Sequence, residues 1–166
     1  MRGIKKLTLN RLGYGTSIAI KAGIFILAIL LIFKLDFVHI TAIGSSTFAA
    51  FCFGTQKTAT ARHMIWSYVV SILIGIACAY SYMLFGMEKF LLIKHIIGAF
   101  CVIFSIFFMV LFGIDHPPAV GAALGFLAGA WDWFTPIALI ASIILLVLYR
   151  WVINRFANYL TRLRNK

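Results

Sequence analysis

His116-Pro117-Pro118-Ala119-Val120-Gly121-Ala122-Ala123-Leu124-Gly125-Phe126-Leu127-Ala128-Gly129 is apolar and rich in small residues, yet as a helix it extends only about 22 Å at 1.5 Å per residue. One crossing of hydrocarbon takes about 20 apolar residues, so this segment, 116–130, is too short to span comfortably. A second segment, 37–53, is also short, and it is studded with hydroxyls at Thr41, Ser45, Ser46 and Thr47. Short segments at membrane depth belong to broken or re-entrant helices, because non-helical backbone survives there only when packed in protein or lining a wet cavity.

Around these two lie four long apolar segments, 15–34, 64–86, 91–113 and 134–153, each near or above spanning length. The order is long, short, long, twice over, which is the pattern of two three-segment repeats, and an odd number per repeat implies inverted topology. His39-Ile40-Thr41-Ala42-Ile43-Gly44 and His116-Pro117-Pro118-Ala119-Val120-Gly121 share His, Ala and Gly at equal spacing, each preceded by a lysine in the upstream long segment, Lys21 and Lys94. Paired interrupted segments in corresponding places of two halves point to a transporter's binding site. The expected fold is all-α, a polytopic transmembrane bundle of four long spans plus two short or re-entrant helices.

Composition agrees. Of 166 residues, 63% are hydrophobic and 11% charged, with a mean hydropathy of +1.04, far from the mix of water-soluble domains. The lipid bilayer is therefore the first partner. The net charge of +11 comes mostly from residues flanking apolar segments, where they set orientation, so nucleic acid is not an expected partner. The basic residues before Gly13, Lys57, Arg62 and the run Arg150 to Lys166 fall on one side, leaving Lys34 and Lys89 on the other. That asymmetry places both termini in the cytoplasm, as expected for a bacterial inner (plasma) membrane. Trp131 and Trp133 mark the outer interface, and Tyr14, Tyr149 and Trp151 the inner one. The division is a basic N-terminal segment (1–14), a single transmembrane domain (15–153) and a basic tail (154–166). The first apolar run is read as a retained span, since it is long for a signal core, contains Lys21 and ends in Lys34-Leu35-Asp36.

The candidate site residues lie on the short segments. In Asp115-His116-Pro117-Pro118-Ala119 the Asp can cap a helix whose first turn tolerates proline. Such a start offers free N–H groups and the positive end of the helix dipole to an anion. His116 either faces that site or ties neighbouring backbone together. Gly44-Ser45-Ser46-Thr47 is read as a turn supplying neutral donors to an ion that has shed water, or else as helix packing. His39 is the counterpart of His116 in the first half. Lys21, about 10 Å into its span at 1.5 Å per residue, either snorkels to the headgroups or attracts anions. Gly121, Gly125 and Gly129 recur every fourth residue and form a packing stripe, directed at a neighbour within the chain or across a dimer. A homo-oligomer is expected on that ground.

Enzyme chemistry finds few candidates. Asp36, Glu88, Asp115 and Asp132 are the only carboxylates, and no phosphate cradle, nucleophile elbow or His-Glu metal motif is present. Cys52, Cys78 and Cys101 show no paired spacing, and the four histidines lack ligand spacing. Neither a metal nor another cofactor is expected.

The His-Pro-Pro run with its Gly/Ala-rich continuation, preceded upstream by Ile43-Gly44-Ser45-Ser46-Thr47-Phe48-Ala49, resembles the HPP family of integral membrane proteins, named for this tripeptide. The similarity extends over about 37–150. Gly44, Ser45 and Ser46 match the family's Gly-small-Ser stretch, and Gly75 its glycine late in the intervening helix. Ala61 stands where the family often has proline, and Ser67-Tyr68 where it often has a Gly-polar pair. Plastid and cyanobacterial relatives are linked to nitrite transport, so the resemblance implies a transporter or channel for a small monovalent anion such as nitrite. Two rival functions are a non-transporting membrane interaction protein and a proton or cation pathway using His116 and Asp115.

Overall fold

The computed structural model describes residues 2–33, 35–54, 56–84, 91–129 and 132–164, with side chains from Leu12 to Leu163 among them. Lys34, Glu88, Lys89 and Trp131 lie outside the described residues, as do the side chains of 2–11. Among the described residues the chain is helical throughout: α1 (Arg2–Phe33), α2 (Phe37–Cys52), a 3-10 turn (Lys57–Ala59), α3 (Ala61–Leu84), α4 (Leu91–Phe112), α5 (Pro118–Ala128) and α6 (Phe134–Arg164). Four stretches are long and apolar enough to cross a membrane, Leu12–Phe33, Ala61–Leu84, Leu91–Phe112 and Phe134–Leu163. The short pair, α2 and α5, is also as expected.

Helix α1 begins at Arg2 and α6 continues to Arg164, so the described parts of both basic terminal segments are helical. Two local expectations change. First, α2 is unbroken, so Gly44–Thr47 is the middle of a helix and not a turn. Ser45 Oγ donates to Ala42 O at 3.0 Å and Thr47 Oγ1 to Ile43 O at 2.8 Å, so these hydroxyls are satisfied by their own helix and leave its ladder intact. Second, Asp115 caps nothing; α5 opens on Pro117 and Pro118 without a side-chain cap. The capping aspartate is Asp36, whose Oδ1 accepts from His39 N at 3.0 Å at the start of α2. The corner before α5 is made by Gly113, at φ +60°, with Ile114 N bonded to Met109 O at 3.0 Å and Gly113 N to Val110 O at 3.1 Å. This paired-bond ending needs the left-handed conformation that glycine adopts without penalty.

Helix α5 sits at the centre. On one side it runs antiparallel to α2, pairing Gly129 with Asp36, Gly125 with His39, Gly121 with Ala42 and His116 with Ser46. A β-carbon added to Gly125 would lie 2.5 Å from His39 Nε2, and one on Gly129 2.9 Å from Asp36 Oδ2, so the missing side chains make room for polar ones opposite. On its other side α5 meets α3, where a β-carbon on Gly75 would fall 2.6 Å from Ala123 O. Lipid gives helices no hydrophobic reason to associate, so this close fit of small residues is what holds them together. The glycine stripe thus meets α2 within the chain, most closely at Gly125 and Gly129.

The antiparallel α2–α5 pair is what inverted repeats require, but the halves pack unequally. The α3–α5 contact is the most extensive in the molecule, and its counterpart between α6 and α2 is much smaller. The bundle has two ends. At the terminal end, nearest both chain termini, Arg150 meets the α2–α3 connection and Tyr149 Oη donates to Lys21 O at 3.2 Å. The far end gathers Asp36, His39, Lys94 and Trp133 with the last turn of α5. Large apolar side chains such as Leu31, Phe100, Phe107 and Val110 face outward, while His39, Ser46, Thr47, Ser67, Ser71, Ser105, His116 and Ser142 are buried. That inside-out distribution is stable only in lipid.

Candidate functional site

The two stretches singled out by sequence meet through one residue each. Ser46 Oγ lies 2.9 Å from His116 Nε2 and 2.9 Å from Tyr68 Oη, and all three side chains are buried. His116 Nδ1 is 2.7 Å from Thr58 O. A carbonyl only accepts, so Nδ1 carries the proton, and in the neutral ring Nε2 is the acceptor. The order of donation follows: Tyr68 O–H to Ser46 Oγ, Ser46 O–H to His116 Nε2, His116 Nδ1–H to Thr58 O. Pro117 and Pro118 fix the backbone just beyond the histidine. Ser67 Oγ also donates to Ile114 O, so α3 holds the same corner a second time.

The start of α5 is not the open nest of donors that its sequence suggests. Both prolines lack an N–H, Ala119 N donates to His116 O at 3.0 Å, and Val120 N donates to Pro117 O at 3.2 Å. What remains there for a ligand is the helix dipole and side-chain donors. Two serines nearby in the core have hydroxyls with no partner: Ser71, one turn beyond Ser67 and Tyr68 on α3, and Ser105 on α4.

The other predicted residues separate from this core. Ser45, Pro117, Pro118 and Gly121 line a surface groove of about 460 Å3 between α2 and α5, together with Phe37, Val38 and Thr41. Ala119 is buried, Thr47 is bonded to its own helix, and Gly44 faces Ile26 of α1. Lys21 is half-buried on α1. His39 lies at the far end, its Nδ1 2.6 Å from Asp36 Oδ1 and its ring edge-on to Phe126, centroids 5.1 Å apart.

A cavity lies toward each end of the bundle, the one at the terminal end between α2, α3 and α6. At the far end one of about 590 Å3 is lined by Tyr80, Lys94, Phe126, Gly129, Asp132 and Trp133, among others. Lys94 Nζ donates to Ala128 O at 3.3 Å, placing a cation at the negative end of α5. At the terminal end a cavity of about 320 Å3 is lined by Ala50, Thr60, Met64 and Arg150, among others. There Arg150 Nη1 and Nη2 each donate over 2.5 Å, to Ala59 O and Gly54 O. His116 and Arg150 thus grip consecutive carbonyls of one 3-10 turn, Thr58 and Ala59. Ile43, Tyr68 and Phe126 are buried in the core, and Phe126 also lines the far cavity.

Sequence reasoning missed Tyr68, Ser71, Thr58, the Asp36–His39 pair and the Arg150 clamp. A polar face at Ser67, Tyr68 and Ser71 within an apolar 24-residue helix was the available signal.

Fold and site together define a polytopic helical membrane protein with a hydrogen-bonded polar core between two short helices. The chain belongs to the HPP family: the family model described as "HPP, transmembrane region" matches residues 8–162, nearly the whole bundle. No curated protein and no solved structure matches it.

Proposed function

We propose that this protein transports a small monovalent anion, nitrite or one of similar size, along the α2–α3–α5 seam, acting as a carrier and not as an enzyme. The observation that carries this is the buried Tyr68–Ser46–His116 chain in the centre of a bundle that is apolar outside. Polar groups within membrane segments are expensive and are kept for function. An anion seated there takes the unpartnered hydroxyl of Ser71 and the O–H groups of Tyr68 and Ser46, which turn to it from Ser46 Oγ and His116 Nε2. Hydrogen bonds to a charged group contribute about 1.5–3 kcal/mol each, so several are needed to offset lost hydration. Lys94 and Arg150 stand over the two cavities, each placing a cation where an anion would enter or leave. The buried bulk of Ile43, Tyr68 and Phe126 suits alternating access better than an open pore. Both termini are assigned to the cytoplasm by the excess of Lys and Arg at that end.

The test is uptake into proteoliposomes of nitrite, nitrate, chloride, formate and potassium under an imposed potential, against protein-free vesicles. Saturable nitrite uptake that exceeds potassium uptake supports the assignment. Potassium flux without anion flux turns it into a cation pathway.

A further inference from the structure

The anion seat does not use the Asp36–His39 pair, the only ion pair among the described residues. Asp36 Oδ1 lies 2.6 Å from His39 Nδ1. A carboxylate oxygen accepts, so Nδ1 holds a proton whether the ring is neutral or charged. The other nitrogen, Nε2, is buried without a hydrogen-bond partner, pressed against Gly125. Phe126, edge-on to this ring, also lines the far cavity. Phe126 therefore touches both the ring with the partnerless nitrogen and the space at the far end.

Among the described residues Asp36 is the one hydrogen-bonding partner of the ring. From α5 it meets Gly125 and Phe126. Helix α1 contributes Ile29 and Phe33 to the same core, and α6 contributes Ala138 and Leu139. Across the cavity stand Tyr80, Tyr82, Lys94 and Asp132; Lys94 is bonded to Ala128 O, and Asp132 Oδ1 accepts from Phe134 N and Thr135 N.

We propose that His39 Nε2 binds the proton whose movement is coupled to anion passage, an inference that rests on the transport function above. With Nε2 bare, the Asp36 carboxylate beside a neutral imidazole gives the pair a net charge of −1, which repels an anion. A proton from the far cavity forms the Nε2–H bond and brings the pair to zero. The new N–H finds no acceptor while α5 lies against α2, and a buried donor of a charged ring is costly to leave unpaired. Protonation therefore favours the arrangement in which the seam parts at Gly125–Phe126 and Nε2–H meets the anion. On the opposite face the anion leaves and Nε2–H gives up its proton. One proton accompanies one monovalent anion, so transport is electroneutral.

The experiment follows nitrite uptake and internal acidification together in proteoliposomes carrying a trapped pH dye, at membrane potentials set with potassium and valinomycin. Protein-free vesicles correct for nitrous acid crossing the lipid. Wild type is expected to acidify the lumen in proportion to nitrite taken up. Uptake should not respond to potential, and it should fall as external pH rises and fewer protons reach Nε2. His39→Gln should lose both acidification and pH dependence, and Asp36→Asn should shift the pH profile. Saturable nitrite uptake that follows the potential without acidification, already in wild type, overturns the coupling and leaves the anion assignment standing. So does an unchanged pH profile in His39→Gln. No uptake of any anion above protein-free vesicles overturns both.

Discussion

Ser46 and His116, seventy positions apart, are joined by a 2.9 Å hydrogen bond in the middle of the bundle. The bond ties the centre of α2 to the segment that launches α5, and the opposite ring nitrogen ties that segment to Thr58 in the α2–α3 connection. His116 thus sets the relative positions of three parts of the chain. The double proline after it keeps the ring where those bonds need it.

Removing members of this chain should destabilise in a definite order. Ser46→Ala strands both His116 Nε2 and Tyr68 Oη, and His116→Ala strands Thr58 O and opens a cavity; each should cost about 1–3 kcal/mol. Tyr68→Phe removes only the terminal donor and leaves the Ser46–His116 bond intact, so its cost should be smaller, about 0.5–1.5 kcal/mol. Thermal unfolding midpoints in detergent check the order, with Tyr68→Phe closest to wild type.

The glycines should respond unequally to alanine. At Gly121 a β-carbon meets Ala42 Cβ at 3.7 Å, an ordinary contact, so Gly121→Ala should be tolerated. At Gly75 it meets backbone at 2.6 Å, and at Gly125 it meets a histidine ring held by Asp36. Gly75→Ala and Gly125→Ala should each lose about 1–3 kcal/mol through forced overpacking. Melting temperatures of the three variants provide the comparison. Equal losses at all three would deny the α2–α5 register described above.

Arg150 holds Gly54 O and Ala59 O with one planar group, which the single ammonium of lysine cannot reproduce. Arg150→Lys should therefore loosen the α2–α3 connection while keeping the charge. With Cys52, Cys78 and Cys101 replaced by alanine, a cysteine introduced at Thr58 should react faster with a water-soluble maleimide when Arg150→Lys is present. Equal labelling rates would mean that the clamp does not hold the turn.

Much of the architecture was legible in the chain because its strongest signal is length. Four apolar stretches long enough to span and two that are not can be counted directly, and all six are helices. His116 was legible because two prolines after a histidine, inside an apolar region, have few uses. Its partner was only half legible. A turn at Gly44–Thr47 leaves Ser45 and Ser46 equivalent, and only the phase of an unbroken α2 turns Ser46 into the core and Ser45 to the groove. The register of α2 on α5 was not legible, since Gly and Ala at every fourth residue permit several registers; Asp36 at Gly129 and Ser46 at His116 select one. Thr58 and Arg150 act through main-chain carbonyls, which leave no mark in a sequence. Arg150 accordingly read as one more interfacial cation.

The most direct test of the central claim compares nitrite uptake by wild type and His116→Ala in proteoliposomes, with both proteins shown to be folded and inserted to the same extent. The expected result is saturable uptake by wild type that falls by about tenfold or more in the variant, a loss of about 1.4 kcal/mol, because Ser46 loses the ring that holds its hydroxyl in the seat. Wild-type uptake by a folded His116→Ala protein would contradict the account and reduce the His-Pro-Pro segment to a device for packing α5 against α2 and α3.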